Sequence, residues 1–389
     1  MSSETSSASS VPTKPARYIM IGGFLGAGKT TAVARLAQRL TSQGHRVGLI
    51  TNDQGHGLVD TALLRARGFA TEEIAGGCFC CRFNSLLEAA RRLSLSTRPD
   101  VFIAEPVGSC TDLLATVTYP LRRIYSGEYI IAPLSVLVDP IRAARVFGWE
   151  DGGRFSDKVL YIYRKQLEEA NLIVINKADL LSPAALERLR AELAAEFPRQ
   201  GVLVVSARTG AGLEEWFERI ASTPSPAGQT MEVDYDIYAE GEARLGWVNA
   251  TVQARSSGGF DPNRLLSQLA GQVQARLNER STEVAHLKMT LNPEAGLGEI
   301  AAINLVRNDV VPELSLALAG SVNGGQIIIN LRAEAAPDQL KIAVEHALAM
   351  VGNQQPGLTL RLDHLEHFRP GRPQPIHRVT REQAKAERH

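Results

Sequence analysis

The sequence predicts an α/β protein: a doubly wound, mostly parallel sheet followed by a smaller α+β domain of the split βαβ kind. Three observations carry that expectation. Between Tyr18 and Ile220, short apolar runs alternate with helical patterns. The runs are continuously apolar rather than alternating, as strands covered on both faces must be. A glycine-rich loop, Gly23-Phe24-Leu25-Gly26-Ala27-Gly28-Lys29-Thr30, stands between the first run and the first helical pattern.

Residues 1–16 are rich in Ser, Thr and Pro and lack an apolar core segment, so they read as a disordered leader rather than a secretory signal. The main domain is expected over 17–220. Its strands are Tyr18–Ile21, Val47–Thr51, Val101–Ala104, Leu134–Val138, Leu172–Ile175 and Val202–Val205, and helices fit at Thr30–Leu40, Leu86–Leu93, Pro183–Glu196 and Leu213–Ile220. The polar, proline-bearing stretch 221–231 reads as a linker. In 232–369, strands are expected at Leu245–Ala254, Glu283–Leu291, Glu299–Leu305, Gln326–Arg332 and Leu358–Leu362. Helices are expected there at Pro262–Leu277 and Pro337–Met350. The polar segment 370–389 reads as a loose tail.

A chain of 389 residues most comfortably makes two domains, and its 44% hydrophobic and 22% charged residues are ordinary for a globular protein. Lys+Arg and Asp+Glu are both 42, so no bulk charge pulls the chain toward nucleic acid or an anionic membrane, and neither is expected as a partner. Apolar runs such as Leu172–Ile175 are far short of a membrane span. Three of the 4 cysteines are clustered, which makes a poor disulfide framework and a good metal site in a reducing compartment. The cytoplasm is the expected location.

The glycine-rich loop has the phosphate-binding (P-loop) pattern Gly23-x-x-x-x-Gly28-Lys29-Thr30, in the strand–loop–helix context the pattern requires. Glycines Gly23, Gly26 and Gly28, with Ala27, let backbone N–H groups curl around phosphates. Lys29 offers a cation to the β/γ-phosphates, the Thr30 hydroxyl can ligate Mg²⁺, and the helix end at Thr31 adds its dipole. Asn176-Lys177-Ala178-Asp179 follows an expected strand. A carboxylate at Asp179 accepts from guanine N1–H and the exocyclic amine, which adenine cannot match; ATP would leave the acceptor short by about 1–3 kcal/mol. Ser206 and Ala207 follow the next strand and can add a backbone contact to the base. GTP and GDP are therefore favoured over ATP, although Asn176 and Asp179 would also serve as plain helix caps.

Asp53 and Glu105 each end a strand and can hold Mg²⁺ through water or position the attacking water, while Gly108 can approach the γ-phosphate by its backbone. Asp139 has a weaker claim to the same role, and no residue identifies itself as the general base.

Cys78, Cys80 and Cys81 cannot close on one ion from regular structure. In a strand Cys81 faces away from the other two, and on a helix Cys80 does. Gly76-Gly77 permit the irregular turn that convergence needs. Ser85-Leu86-Leu87-Glu88 resembles a capping box, so a helix is expected to begin there, its dipole and Arg82 favouring thiolate. Three thiolates leave a tetrahedral Zn²⁺ one ligand short. Cys110, five residues after Glu105, is the candidate for the fourth, or else a small buried thiol.

Taken together, Gly22–Thr31, the Gly77-Cys78-Phe79-Cys80-Cys81 run and Asn176–Asp179 resemble the CobW family, one of the metal-linked GTPases that include HypB and UreG. Asn52–Asp60 is similar to that family's first switch region, and Glu105-Pro106-Val107-Gly108 to its acid-x-x-glycine element. The resemblance implies slow, Mg²⁺-dependent GTP hydrolysis, binding of Zn²⁺ or Co²⁺ at Cys-x-Cys-Cys, and delivery of the metal to a client metalloprotein. It also supports Cys110, because HypB-type relatives use a cysteine at somewhat longer spacing after the corresponding acid. Many CobW-type proteins carry a His-rich stretch and this chain has none; His364, His367 and His377 read as a solvated tail end.

The leading expectation is thus a GTPase metallochaperone. The alternative is a GTP-dependent conformational chaperone whose zinc is structural and never transferred. A zinc store leaves the guanine motif unused, and a small-molecule kinase leaves the cysteines unused. A nucleotide-dependent homodimer is carried as a further expectation.

Overall fold

The structure, a computed structural model, describes residues 14–55, 59–226, 230–295 and 298–386. Most of the expected leader and parts of the switch segment, the linker and the chain end lie outside the described residues.

The first half alternates strand and helix. The elements are β1 (Ala16–Gly23), α1 (Lys29–Ser42), β2 (Val47–Asn52), α2 (Val59–Ala66), β3 (Ala70–Ile74), α3 (Phe83–Ser96), β4 (Val101–Glu105) and α4 (Tyr119–Ile124). Then come β5 (Tyr129–Ile131), β6 (Ser135–Val138), α5 (Pro140–Val146), α6 (Asp157–Glu169), β7 (Leu172–Ile175), α7 (Pro183–Glu196), β8 (Gly201–Val204) and α8 (Leu213–Ser222). The strands form one sheet in the order β3-β2-β4-β1-β6-β7-β8, with β5 beside β1, and every pairing in it is parallel. Continuous apolarity has its expected cause. Ile19 and Ile21 of β1 point into a core shared with α1 and α8, while Tyr18 and Met20 point into another shared with α3 and α6. Trp216 of α8 is fully buried and donates its Nε1–H to Ser135 Oγ at 2.9 Å.

Between the two sheets lies α9 (Tyr235–Arg244), for which no element was expected. Asp234 caps it by accepting from Asp236 N and Ile237 N, and it packs on α6. The second sheet contains β9 (Gly246–Phe260), β10 (Val284–Pro293), β11 (Ala301–Leu305), β12 (Glu313–Leu316), β13 (Val322–Ala333) and β14 (Leu358–Phe368), in the order β12-β11-β10-β13-β9-β14. All its pairings are antiparallel. Because β13 lies between β9 and β10, the unit β9–α10–β10, with α10 at Pro262–Asn278, is a split βαβ. Helices α10 and α11 (Pro337–Gln354) bury one face of this sheet around Leu287, Met289, Ile329 and Leu331.

Three expectations are corrected. Ser85 lies inside α3, which begins at Phe83 with Arg82 at its N-cap, so Ser85–Glu88 is no capping box. The segment 370–386 is not loose. Ile376 N donates to Cys80 O at 3.0 Å, Val379 N donates to Ala115 O at 2.9 Å, and a last helix, α12 (Arg381–Ala386), follows. The three histidines are no solvated tail end either: His364 and His367 sit in β14, with His367 Nε2 bonded to Asp338 Oδ1 at 2.8 Å, and His377 packs edge-on against Phe83.

Candidate functional site

The glycine-rich loop joins β1 to α1, and Gly28 at its end has φ 89. A Cβ there would lie 2.5 Å from Asn176 Nδ2, so only glycine fits. Lys29 is buried, and its Nζ donates to Gly23 O at 2.8 Å and Phe24 O at 3.3 Å. Burial brings its ammonium down to about 8, with Glu105 opposing that fall and Lys288 adding to it. Thr31 is exposed on the first turn of α1.

Thr30 Oγ1 stands between two carboxylates, 2.6 Å from Asp60 Oδ1 and 3.0 Å from Glu105 Oε1. Glu105 Oε2 is buried without a partner among the described residues, and burial reinforced by Asp60 lifts this carboxyl to about 7. A hydroxyl and two carboxylates are the hard oxygen donors that suit Mg²⁺, which would supply charge neutralisation for a phosphate chain at this point. Asp53 is not part of this set. Arg332 of β13 neutralises it at 3.1 Å, so the structure brings Asp60 rather than Asp53 to Thr30. Asp139 is likewise elsewhere: it caps α5 through Arg142 N and pairs with Lys177 at 2.7 Å.

The second motif is tied directly to the loop. Asn176 Nδ2 donates to Ala27 O at 2.9 Å, and Asn176 Oδ1 accepts from Ala207 N at 2.9 Å. Lys177 has a left-handed φ of 56 and reaches Gly26 O at 2.7 Å. Asp179 accepts from Ser206 Oγ at 2.5 Å. The loops after β1, β7 and β8 thus converge at the carboxyl ends of the strands, where sheets of this class bind ligands. Gly108 also comes to the loop, its backbone packed on Leu25.

The sulfur atoms of Cys78, Cys80 and Cys81 converge as well, at 2.8, 3.3 and 3.6 Å from one another. Gly76 and Gly77, with φ 76 and 147, make the bend. Three sulfurs around a tetrahedral zinc stand about 3.8 Å apart, given a Zn–S bond of ~2.3 Å, so a small opening of the trio would admit the ion. Cys110 is buried and interacts with Cys78 and Cys80, but its sulfur is not in the set of three that lie within 4.8 Å of one another. Hydrogen bonds with Cys110, Cys80 and Cys81 hold the Cys78 thiol well below its usual range. Cys80 is pushed up by Cys110 and Cys78, and Cys110 chiefly by burial.

Two hydrogen bonds tie the segment after β2 to the surroundings of the thiols. Asn52 Nδ2 donates to Gly77 O at 2.7 Å, and Gln54 Nε2 donates to Glu242 Oε2 at 2.8 Å. Glu242 of α9 is buried beside Cys78 and lifted to about 8, chiefly by burial. The chain end closes the other side: Gln374 N donates to Cys81 Sγ at 3.1 Å, and Arg378 pairs with the buried Asp112 at 2.7 Å.

A sequence profile of the CobW/HypB/UreG nucleotide-binding domain matches residues 17–203. Residues 17–203 are similar to that family's nucleotide-binding domain. Curated relatives are similar over about half of the chain. The chain is 28% identical over 211 residues to a zinc chaperone CobW of Pseudomonas aeruginosa, covering 49% of this chain and 56% of that one. It is 29% identical over 214 residues to a zinc chaperone CobW of a Sinorhizobium species, covering 48% and 57%. The chain thus spans little more than half the length of the curated relatives it matches. Among solved structures, a Zn(II)-bound YjiA GTPase from Escherichia coli aligns over 86% of this chain and 99% of its own, at 13% identity and a TM-score of 0.35. HypB from Archaeoglobus fulgidus aligns over 52% and 87%, at 24% identity and a TM-score of 0.36.

Sequence reasoning missed Asp60 as a partner of Thr30, and it missed His286, Lys288 and Arg332 from the second sheet and Gln374 from the chain end. A usable signal existed for β10. His286, Lys288 and Thr290 alternate with Leu287, Met289 and Leu291, which marks a strand with one polar face.

Proposed function

We propose that this protein binds and hydrolyses GTP, holds Zn²⁺ or Co²⁺ on Cys78, Cys80 and Cys81, and passes the metal to a client metalloprotein in the cytoplasm. One observation carries the reading: the thiol cluster hangs between the two segments that flank the Thr30 oxygens. Asn52, next to Asp53, holds the carbonyl just before Cys78. Cys110 follows Glu105 on a segment whose carbonyls at Gly108 and Cys110 are both held by Gln166 Nε2. A movement of either segment on gain or loss of the γ-phosphate would therefore move sulfur atoms. Lys29 and Gly23–Thr31 would cradle the phosphates, and Thr30, Asp60 and Glu105 the Mg²⁺. Asn176, Asp179, Ser206 and Ala207 would read guanine. The zinc-chaperone names of the relatives support the same reading.

The experiment is a Zn²⁺ and Co²⁺ titration of the full chain under GTP, GDP and no nucleotide. A metal affinity that changes at least tenfold between GTP and GDP is expected, and one that stays constant across all three conditions removes the transfer reading. Full burial of Cys80 and near burial of Cys78 favour one alternative, a conformational chaperone with a structural zinc. It predicts metal retention through the whole cycle and unfolding on chelation.

A further inference from the structure

The second sheet presents its helix-free face to the phosphate loop, and that face is polar. In register across β10 and β13, His286 stands opposite Arg332 and Lys288 opposite Asn330, and Asn249 of β9 lies beyond Asn330. All are buried, apart from the half-buried Lys288. Burying such a face is costly unless the groups it meets are complementary. It meets the switch segment. Lys288 Nζ donates to both Asp60 oxygens at 2.6 and 2.7 Å, Arg332 pairs with Asp53, and Asn330 Oδ1 accepts from Val59 N at 3.0 Å. Ala285 and Val306 of the same domain lie against Gly26 in the phosphate loop.

Lys288 is therefore one carboxylate away from Thr30, at the end of the loop where the terminal phosphate of a triphosphate belongs. Its charge is felt by Lys29. Two further side-chain nitrogens of this face have no partner among the described residues: His286 Nε2 and Arg332 Nε are both buried and unbonded. An unpartnered guanidinium N–H beside the Lys288 ammonium makes this face one that suits an anion.

We propose that Lys288 is a phosphate-contacting residue of the nucleotide site, supplied by the second domain, and that its ammonium binds the γ-phosphate of the triphosphate. In the structure the four-carbon stem delivers that ammonium to Asp60; a shift along the same stem carries it to the phosphate oxygens. The second domain then senses the difference between GTP and GDP directly. This inference rests on the nucleotide reading above.

The test is calorimetric titration of the full chain and of Lys288→Met with GDP and with a non-hydrolysable GTP analogue. Expected is a loss of about tenfold or more in affinity for the analogue, as for a lost charge-assisted hydrogen bond. Affinity for GDP should stay within about twofold of the parent, and Lys288→Arg should restore most of the loss. If Lys288→Met leaves the ratio of the two affinities unchanged, or strengthens both equally, Lys288 serves only Asp60 and the proposal falls. A parent chain that binds neither nucleotide overturns the nucleotide reading itself, and this inference with it. Should Lys288→Met fail to fold once Asp60 is unpaired, Lys288→Met/Asp60→Asn is compared with Asp60→Asn on the same ratio.

Discussion

Asp139 shows how one side chain can be read two ways. As an acid at a strand end it competes for a metal, but with Arg142 N and Lys177 already around it, it is committed to structure. Burial alone would raise its carboxyl; the charges of Lys177 and Arg142 outweigh that and bring it from 3.8 to about 2. The folded state therefore holds the proton less tightly than the unfolded chain. Its stabilising contribution, ~2 kcal/mol, is present in full above pH 3.8 and is lost as pH falls toward 2. Asp139→Asn should accordingly lower the urea midpoint at pH 7 and leave it close to the parent's only near pH 1, below the folded value. An equal loss at both values would show that the carboxylate charge contributes nothing.

At the level of elements, the strands buried on both faces were legible because continuous apolarity has one cheap explanation. The elements that escaped notice were those that compromise. β3 is an edge strand pairing only with β2, and its Glu72 and Glu73 interrupt the apolar run, as edge strands do to discourage further pairing. β5 has three residues, too few for any period. α9 hides its amphipathic stripe because one of its inward positions is Glu242, a buried acid that accepts from Gln54. The glycine-rich loop and the Asn176–Asp179 motif stood out because their spacing is local. The partnership of Thr30 with Asp60 and Lys288 did not, since it joins residues 228 positions apart across two sheets. Asp234 makes α9 testable. Asp234→Ala removes the acceptor for two orphan N–H groups and should cost about 1 kcal/mol in chemical denaturation. A change of only a few tenths would mean that packing on α6 alone holds the helix.

On the scale of the whole molecule, the chain closes on itself twice: the second sheet covers the phosphate loop, and the chain end covers the thiols. Arg378 fastens that end, since its guanidinium meets Asp112, a carboxylate whose side chain is 1% exposed. Arg378→Ala should speed alkylation of Cys81 in the metal-free protein several-fold, because the backbone N–H of Gln374 no longer stays on its sulfur. Labelling at the parental rate would show that the strap is held by its other contacts. The same strap has a practical consequence for handling the protein. An oligohistidine purification tag fused to this end would hang from the segment whose Gln374 N–H meets Cys81 Sγ, and imidazole is itself a good zinc ligand. Metal stoichiometries measured on such material would mix borrowed nitrogens with native sulfurs, so the affinity handle belongs at the other terminus.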